Sequence, residues 1–205
     1  MTDKNHSEFD IDNLPNRLTM FRILLIPIIL GSLLLTNVHV MVEHRTLLEW
    51  LAAFFFTLAS ITDFVDGYIA RKKKIVTLFG SFLDPIADKF LTVSCLIVLM
   101  SLDRINVIVV VILVMREIYM TSLRLLASTE GITVPVSMLG KWKTGINMAA
   151  IPFIMLSGKP LGIPVNALGD ILIYIASFLS VYSSFIYSMG LIGKIKQNRK
   201  TRMAK

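Results

Sequence analysis

Apolar runs about long enough to cross a bilayer recur along nearly the whole chain, and no other feature narrows its possible folds as far. A hydrocarbon core of about 30 Å takes roughly 20 apolar residues per helix. The runs here predict six spans, at 18–36, 46–70, 80–101, 105–127, 140–157 and 167–193. With 55% hydrophobic and only 17% charged residues over 205 positions, and a mean hydropathy of +0.70, the composition excludes an ordinary soluble domain. The expected fold class is an all-α membrane protein, a bundle of six transmembrane helices.

Charge gives this bundle a direction. The net charge of +7 would suit a nucleic-acid binder if it covered a soluble face, but the basic residues crowd into short segments beside spans. Arg71, Lys72, Lys73 and Lys74 follow the second span, and Lys194, Lys196, Arg199, Lys200, Arg202 and Lys205 close the chain, whereas the opposite side keeps Arg45, Arg104 and Lys159. By the positive-inside rule both termini and the 71–78 loop face the cytoplasm, as an even number of spans requires. The acidic start, Asp3, Glu8, Asp10 and Asp12, is unlike a secretory signal, so the first span is expected to remain. The single cysteine, Cys95, lies in an apolar run and is expected to pack.

No repeat, low-complexity tract or soluble insertion interrupts the pattern, so the chain reads as one domain. Residues 1–17 form a cytoplasmic arm, 18–193 the six-helix domain and 194–205 a basic cytoplasmic tail. Leu14, Pro15 and Leu18 suit the membrane surface, with Pro15 fitted to a first helical turn. Gly158, Pro160, Gly162 and Pro164 mark an external turn near 157–168.

Within this apolar frame, Asp63, Asp66, Asp84, Asp88 and Glu117 fall inside spans or at their ends. An aspartate at mid-span costs roughly 2.5–3.5 kcal/mol on insertion scales, so four of them need compensation. At about 100° per residue, Asp63 and Asp66 lie some 60° apart on one helix face, and Asp84 and Asp88 about 40° apart on another. If the two helices pack together, four carboxylates meet, and they must repel, take up protons or share a cation. Oxygen-only ligands favour Mg²⁺ or Mn²⁺ over zinc. Ala59, Gly67, Ala70 and Gly80 would let the helices approach closely. Pro85 suggests that the third helix kinks or begins there, and an N-cap at Asp84 is the alternative structural role for that pair.

Asp63, Asp66, Gly67, Ala70, Arg71, Gly80, Asp84 and Asp88 together reproduce DxxDGxxAR, eight residues, then GxxxDxxxD. This resembles the signature of the CDP-alcohol phosphotransferase family. The resemblance implies a six-helix bundle, a homodimer and a two-metal site open to the cytoplasm. It implies that Asp63, Asp66, Asp84 and Asp88 hold two Mg²⁺ or Mn²⁺ ions, and that Asp88 also takes the proton from the attacking hydroxyl. Gly67, Ala70, Arg71, Thr77 and Gly80 match positions that contact the CDP-lipid.

The acceptor must be read from other polar residues in apolar segments: Arg116, Glu117, Arg124, Lys141, Lys143 and Asn147. A phosphate-bearing acceptor would use such cations directly, and Arg116, Arg124 and Lys141 are the candidates. Glu117 and Arg124, seven residues apart, also permit a structural ion pair on one helix face. RExxxTxLR at Arg116–Arg124, GKxKT at Gly140–Thr144 and PNxLTxxR at Pro15–Arg22 resemble the phosphatidylglycerophosphate synthase branch of the family, although Asn147 stands where that branch carries Gln. The branch implies CDP-diacylglycerol and sn-glycerol 3-phosphate as substrates, and phosphatidylglycerol phosphate and CMP as products. The competing readings are a relative that takes serine, inositol phosphate or another alcohol, a divalent-cation transporter, and a membrane assembly factor with structural ion pairs.

Overall fold

The computed structural model describes residues 14–73, 78–132, 138–158 and 164–203; for residues 14–16, 42, 66, 68–85 and 197–203 within those limits only the backbone is described. Among the described residues the chain is helical throughout, with six α-helices and no strand. They are α1 (Leu14–Leu35), α2 (Arg45–Lys73), α3 (Leu78–Ser101), α4 (Val107–Thr129), α5 (Met138–Met155) and α6 (Val165–Met203), with a short 3₁₀ segment, His39–His44, between α1 and α2. Each expected span thus corresponds to one helix.

The helix ends explain themselves locally. Pro15 is the second residue of α1, in the first turn, where a missing amide proton costs nothing. Asn106 caps α4 by accepting from the Ile108 amide at 2.9 Å. Helix α3 runs through Asp84 and Pro85 without starting there, so the N-cap alternative for Asp84 is corrected. Seven residues of helix already precede Pro85, and the chain tolerates one lost backbone donor. Helix α6 continues past the expected end at 193 to Met203, because Lys, Gln and Arg propagate a helix as readily as apolar residues do.

Buried residues fall at helical spacing on one stripe of each segment: Leu25, Ile29 and Leu33 on α1, Ala52, Phe56 and Ala59 on α2, and Leu91, Cys95 and Leu99 on α3. Cys95 packs, as expected. The opposite faces carry large apolar side chains directed outward, such as Leu24, Phe54, Phe64, Ile108, Phe178 and Phe185, an arrangement suited to lipid rather than water. Three helical segments, Arg17–Leu35, Arg45–Val65 and Val165–Lys196, are long and apolar enough to cross a membrane among the described residues.

Helix α1 packs on α2 and α3, α5 packs on α6 and α2, and α4 packs on α6. The α5–α6 contact is close at Gly169. A Cβ on Gly169 would stand 2.6 Å from Ile154 Cγ1 and 2.9 Å from the Ile154 amide nitrogen, so this glycine is what lets the two backbones meet. Gly169→Ala should therefore cost about 1–3 kcal/mol of stability. Gly190→Ala, with nothing within 4 Å of its would-be Cβ, should be neutral or slightly stabilising. Thermal unfolding of both variants in detergent checks this, and equal midpoints would refute it.

Candidate active site

Asp63 on α2 and Asp88 on α3 lie within Coulombic reach of one another. Asp63 is ion-paired with Arg22 of α1, whose side chain is fully buried. Arg22 closed the PNxLTxxR motif in the sequence, but nothing there linked it to the carboxylates 41 positions further on. Asp88 is different. Its Oδ1 is buried and has no hydrogen-bond partner among the described residues, which leaves lone pairs able to receive a proton or a cation. The side chains of Asp66, Ala70, Arg71, Gly80 and Asp84 lie outside the described residues, as does all of Thr77; Gly67 is half-buried on α2.

A small cavity between α3, α4 and α5 opens beside Asp88, lined among others by Lys89, Thr92, Glu117, Lys143, Thr144 and Asn147. Its α4 wall is built outward from Arg116. The Arg116 guanidinium donates from Nε to Ser184 Oγ at 2.9 Å and to the Ser180 carbonyl at 3.3 Å, and from Nη2 to Ser183 Oγ at 3.0 Å, all on α6. From Nη1 it donates to Glu117 Oε1 at 3.1 Å. That same Oε1 accepts the ammonium of Lys143, which reaches across from α5. Lys89 donates to Thr121 Oγ1 and ties α3 to α4 one turn beyond.

The Glu117–Arg124 ion pair contemplated from spacing is not formed. Seven residues separate the two by about 10.5 Å along the helix axis, and Arg116 and Lys143 occupy the Glu117 carboxylate instead. Arg124 and Lys141 are exposed, and neither has an ion-pair partner among the described residues. Arg116, by contrast, is buried and holds to α6, although two of its five N–H protons are not engaged by these contacts. Asn147 is buried with its Oδ1 unpartnered among the described residues.

The opposite end of the bundle holds a second buried charge cluster, in which Arg45 and Arg104, two of the basic residues assigned to that side by sequence, meet Glu49, which no motif singled out. Glu49 accepts from Arg104 Nη2 at 2.5 Å, Arg45 Nε at 3.1 Å, the Ser157 amide at 2.8 Å and the Ser157 hydroxyl. Arg104 also donates to the Met155 carbonyl. A cavity of about 480 Å³ adjoins it, lined by Asp103, Arg104, Asp170 and Tyr174. The Arg104 guanidinium at that end is committed to Glu49 and Met155, whereas Asp88 keeps an oxygen without a partner among the described residues.

A helical bundle with carboxylates of the DxxDGxxAR…GxxxDxxxD signature beside a cation-lined cavity defines a class, and the comparison with known families agrees: the CDP-alcohol phosphatidyltransferase profile matches residues 12–182. The chain belongs to that family. It is 40% identical over 176 residues to the CDP-diacylglycerol–glycerol-3-phosphate 3-phosphatidyltransferase of Rickettsia felis, covering 85% of this chain and 93% of the relative. To the Bacillus subtilis enzyme of the same name it is 37% identical over 184 residues, covering 85% and 93%. A probable phosphatidylglycerophosphate synthase of Mycobacterium tuberculosis is 35% identical over 190 residues, covering 91% and 87%.

The two charge clusters should respond differently to mutation. Glu49→Ala leaves Arg104 buried without its counter-ion and should cost about 3–5 kcal/mol of stability, while the fraction that remains folded keeps its activity. Thermal unfolding alongside specific activity per folded protein measures both, and loss of activity without loss of stability would contradict the structural assignment.

Proposed function

We propose that this chain is an integral membrane enzyme of six spans that transfers a phosphatidyl group from CDP-diacylglycerol to sn-glycerol 3-phosphate, giving phosphatidylglycerol phosphate and CMP. The observation that carries the reading is the buried oxygen of Asp88, unpartnered among the described residues and within Coulombic reach of Asp63, in a chain of this family. Relatives that bear the name of this activity match it over most of their length, which supports the choice of substrates.

The donors fit a hard divalent cation. They are all carboxylate oxygens, they come from two helices, and one, Asp88 Oδ1, is buried with no hydrogen-bond partner among the described residues. Asp63, Asp66, Asp84 and Asp88 would hold two ions, Mg²⁺ or Mn²⁺. Such ions, when bound, neutralise a pyrophosphate and stabilise the departing phosphate. Asp88 accepts the proton of the attacking hydroxyl, the role its free oxygen suits. Gly67 leaves room for the nucleotide, Arg71 offers its phosphates a bidentate fork, and Ala70, Thr77 and Gly80 complete the CDP-lipid contacts.

Arg124 and Lys141, exposed cations on α4 and α5, bind the acceptor's phosphate, and Arg116, behind Glu117, contributes its remaining protons. The active site and both termini face the cytoplasm by the distribution of basic residues. The polar arm at 1–17 and the basic segment at 194–205 flank the six-helix domain, and two copies form a homodimer.

Purified protein supplied with CDP-diacylglycerol, Mn²⁺ or Mg²⁺ and a panel of glycerol 3-phosphate, serine and inositol phosphate tests the reading, with the lipid product identified by mass. Phosphatidylglycerol phosphate is expected, with stoichiometric CMP; another lipid would reassign the acceptor, and metal flux without CMP would favour a transporter. Arg124→Lys should raise KM for glycerol 3-phosphate about five- to tenfold, the cost of one lost charge-assisted contact, with a smaller change for CDP-diacylglycerol. Equal shifts for the two substrates would remove Arg124 from the acceptor site.

A further inference from the structure

Four ionisable side chains line the cavity: Lys89, which is bonded to Thr121 of α4, and one from each of three helices, Asp88 on α3, Glu117 on α4 and Lys143 on α5. Lys143 is 3% exposed, and its ammonium is bonded to Glu117 Oε1. Asp88 stands within Coulombic reach of the same ammonium, yet its Oδ1 has no hydrogen-bond partner among the described residues. A lysine has a flexible four-carbon stem and three protons to donate. With two carboxylates in reach, it settles on the one that is held in place. Glu117 is held: Arg116 donates to it and is itself tied to Ser180, Ser183 and Ser184 of α6.

We propose that Glu117 is a positioning residue that captures the Lys143 ammonium and so keeps Asp88 free of an internal ion pair. The inference rests on the reading of Asp88 as metal ligand and proton acceptor given above. Without the Glu117 charge, Lys143 becomes a buried cation lacking its counter-ion, and the Asp88 oxygen on the same cavity is there to receive it. An Asp88 paired in that way is a poorer ligand and a poorer base, because a divalent ion or an incoming proton must first displace the ammonium. The Arg116–serine contacts to α6 acquire a purpose in this arrangement, since they fix the carboxylate that does the capturing.

The test is Mn²⁺ binding to the detergent-purified protein, followed by electron paramagnetic resonance, with turnover measured in parallel. Glu117→Gln should weaken Mn²⁺ binding about tenfold or more and lower kcat. The double variant Glu117→Gln/Lys143→Gln should recover both toward the unaltered values, because it removes the ammonium that has strayed. Lys143→Gln alone takes a cation away from the cluster and should bind Mn²⁺ at least as tightly as the unaltered protein. A merely structural Glu117 predicts the reverse, since the double variant loses two members of a buried network and should be no better than the single one. A double variant that binds Mn²⁺ as poorly as Glu117→Gln, or weakened binding in Lys143→Gln, overturns the proposal. Should Glu117→Gln fail to fold, the other two variants decide the matter by the same criterion of unweakened Mn²⁺ binding. Failure of the unaltered protein to bind Mn²⁺ would overturn the metal reading itself, and this proposal with it.

Discussion

A charge withdrawn from water into an apolar bundle costs several kcal/mol unless an opposite charge or a set of hydrogen bonds answers it, and this requirement organises the molecule at both ends. At one end Glu49 is answered completely, by two arginines and by both polar groups of Ser157. At the other, Arg22 answers Asp63, and Lys143 and Arg116 answer Glu117. Asp88 differs, with one carboxylate oxygen left without a partner among the described residues. The contrast separates a cluster whose hydrogen bonds are spent on holding helices together from one that keeps capacity for chemistry, and cavity size does not draw that distinction.

The helices were legible because lipid exposure and core packing both write themselves into long apolar runs, and each run became one helix. Their ends were less so. The sequence puts a compositional boundary at 193, but helix propensity ignores solvent and carries α6 on to Met203. Pro85 reads as a kink or a start, and α3 begins seven residues before it. A change of environment, or a single lost donor, need not be a change of backbone.

The carboxylate pairs were legible for an energetic reason, since aspartates do not gather inside spans at helical spacing without compensation. Their partners were hidden by chain distance. Arg22 and Asp63, Glu49 and Arg104, and Arg116 and the serines of α6 are each brought together only by the packing of helices far apart in sequence. One signal was available: Ser180, Ser184 and Ser188 recur every fourth residue on α6, a polar line on an otherwise apolar helix that announces a polar neighbour. Spacing misled once, when it offered Glu117 and Arg124 as a pair. A shared face two turns apart is not a contact, and a lysine from the next helix was nearer.

Membership of the family and the two clusters lead to one central claim, that the spare oxygen of Asp88 is where the acceptor's proton goes. The most direct measurement is turnover by Asp88→Asn, set beside the affinity of the same purified variant for CDP-diacylglycerol. The account predicts a fall in kcat of about 10²–10⁴-fold with lipid-nucleotide affinity changed far less. A variant that turns over its bound substrate at an undiminished rate, and has merely lost affinity for the CDP-lipid, would contradict it.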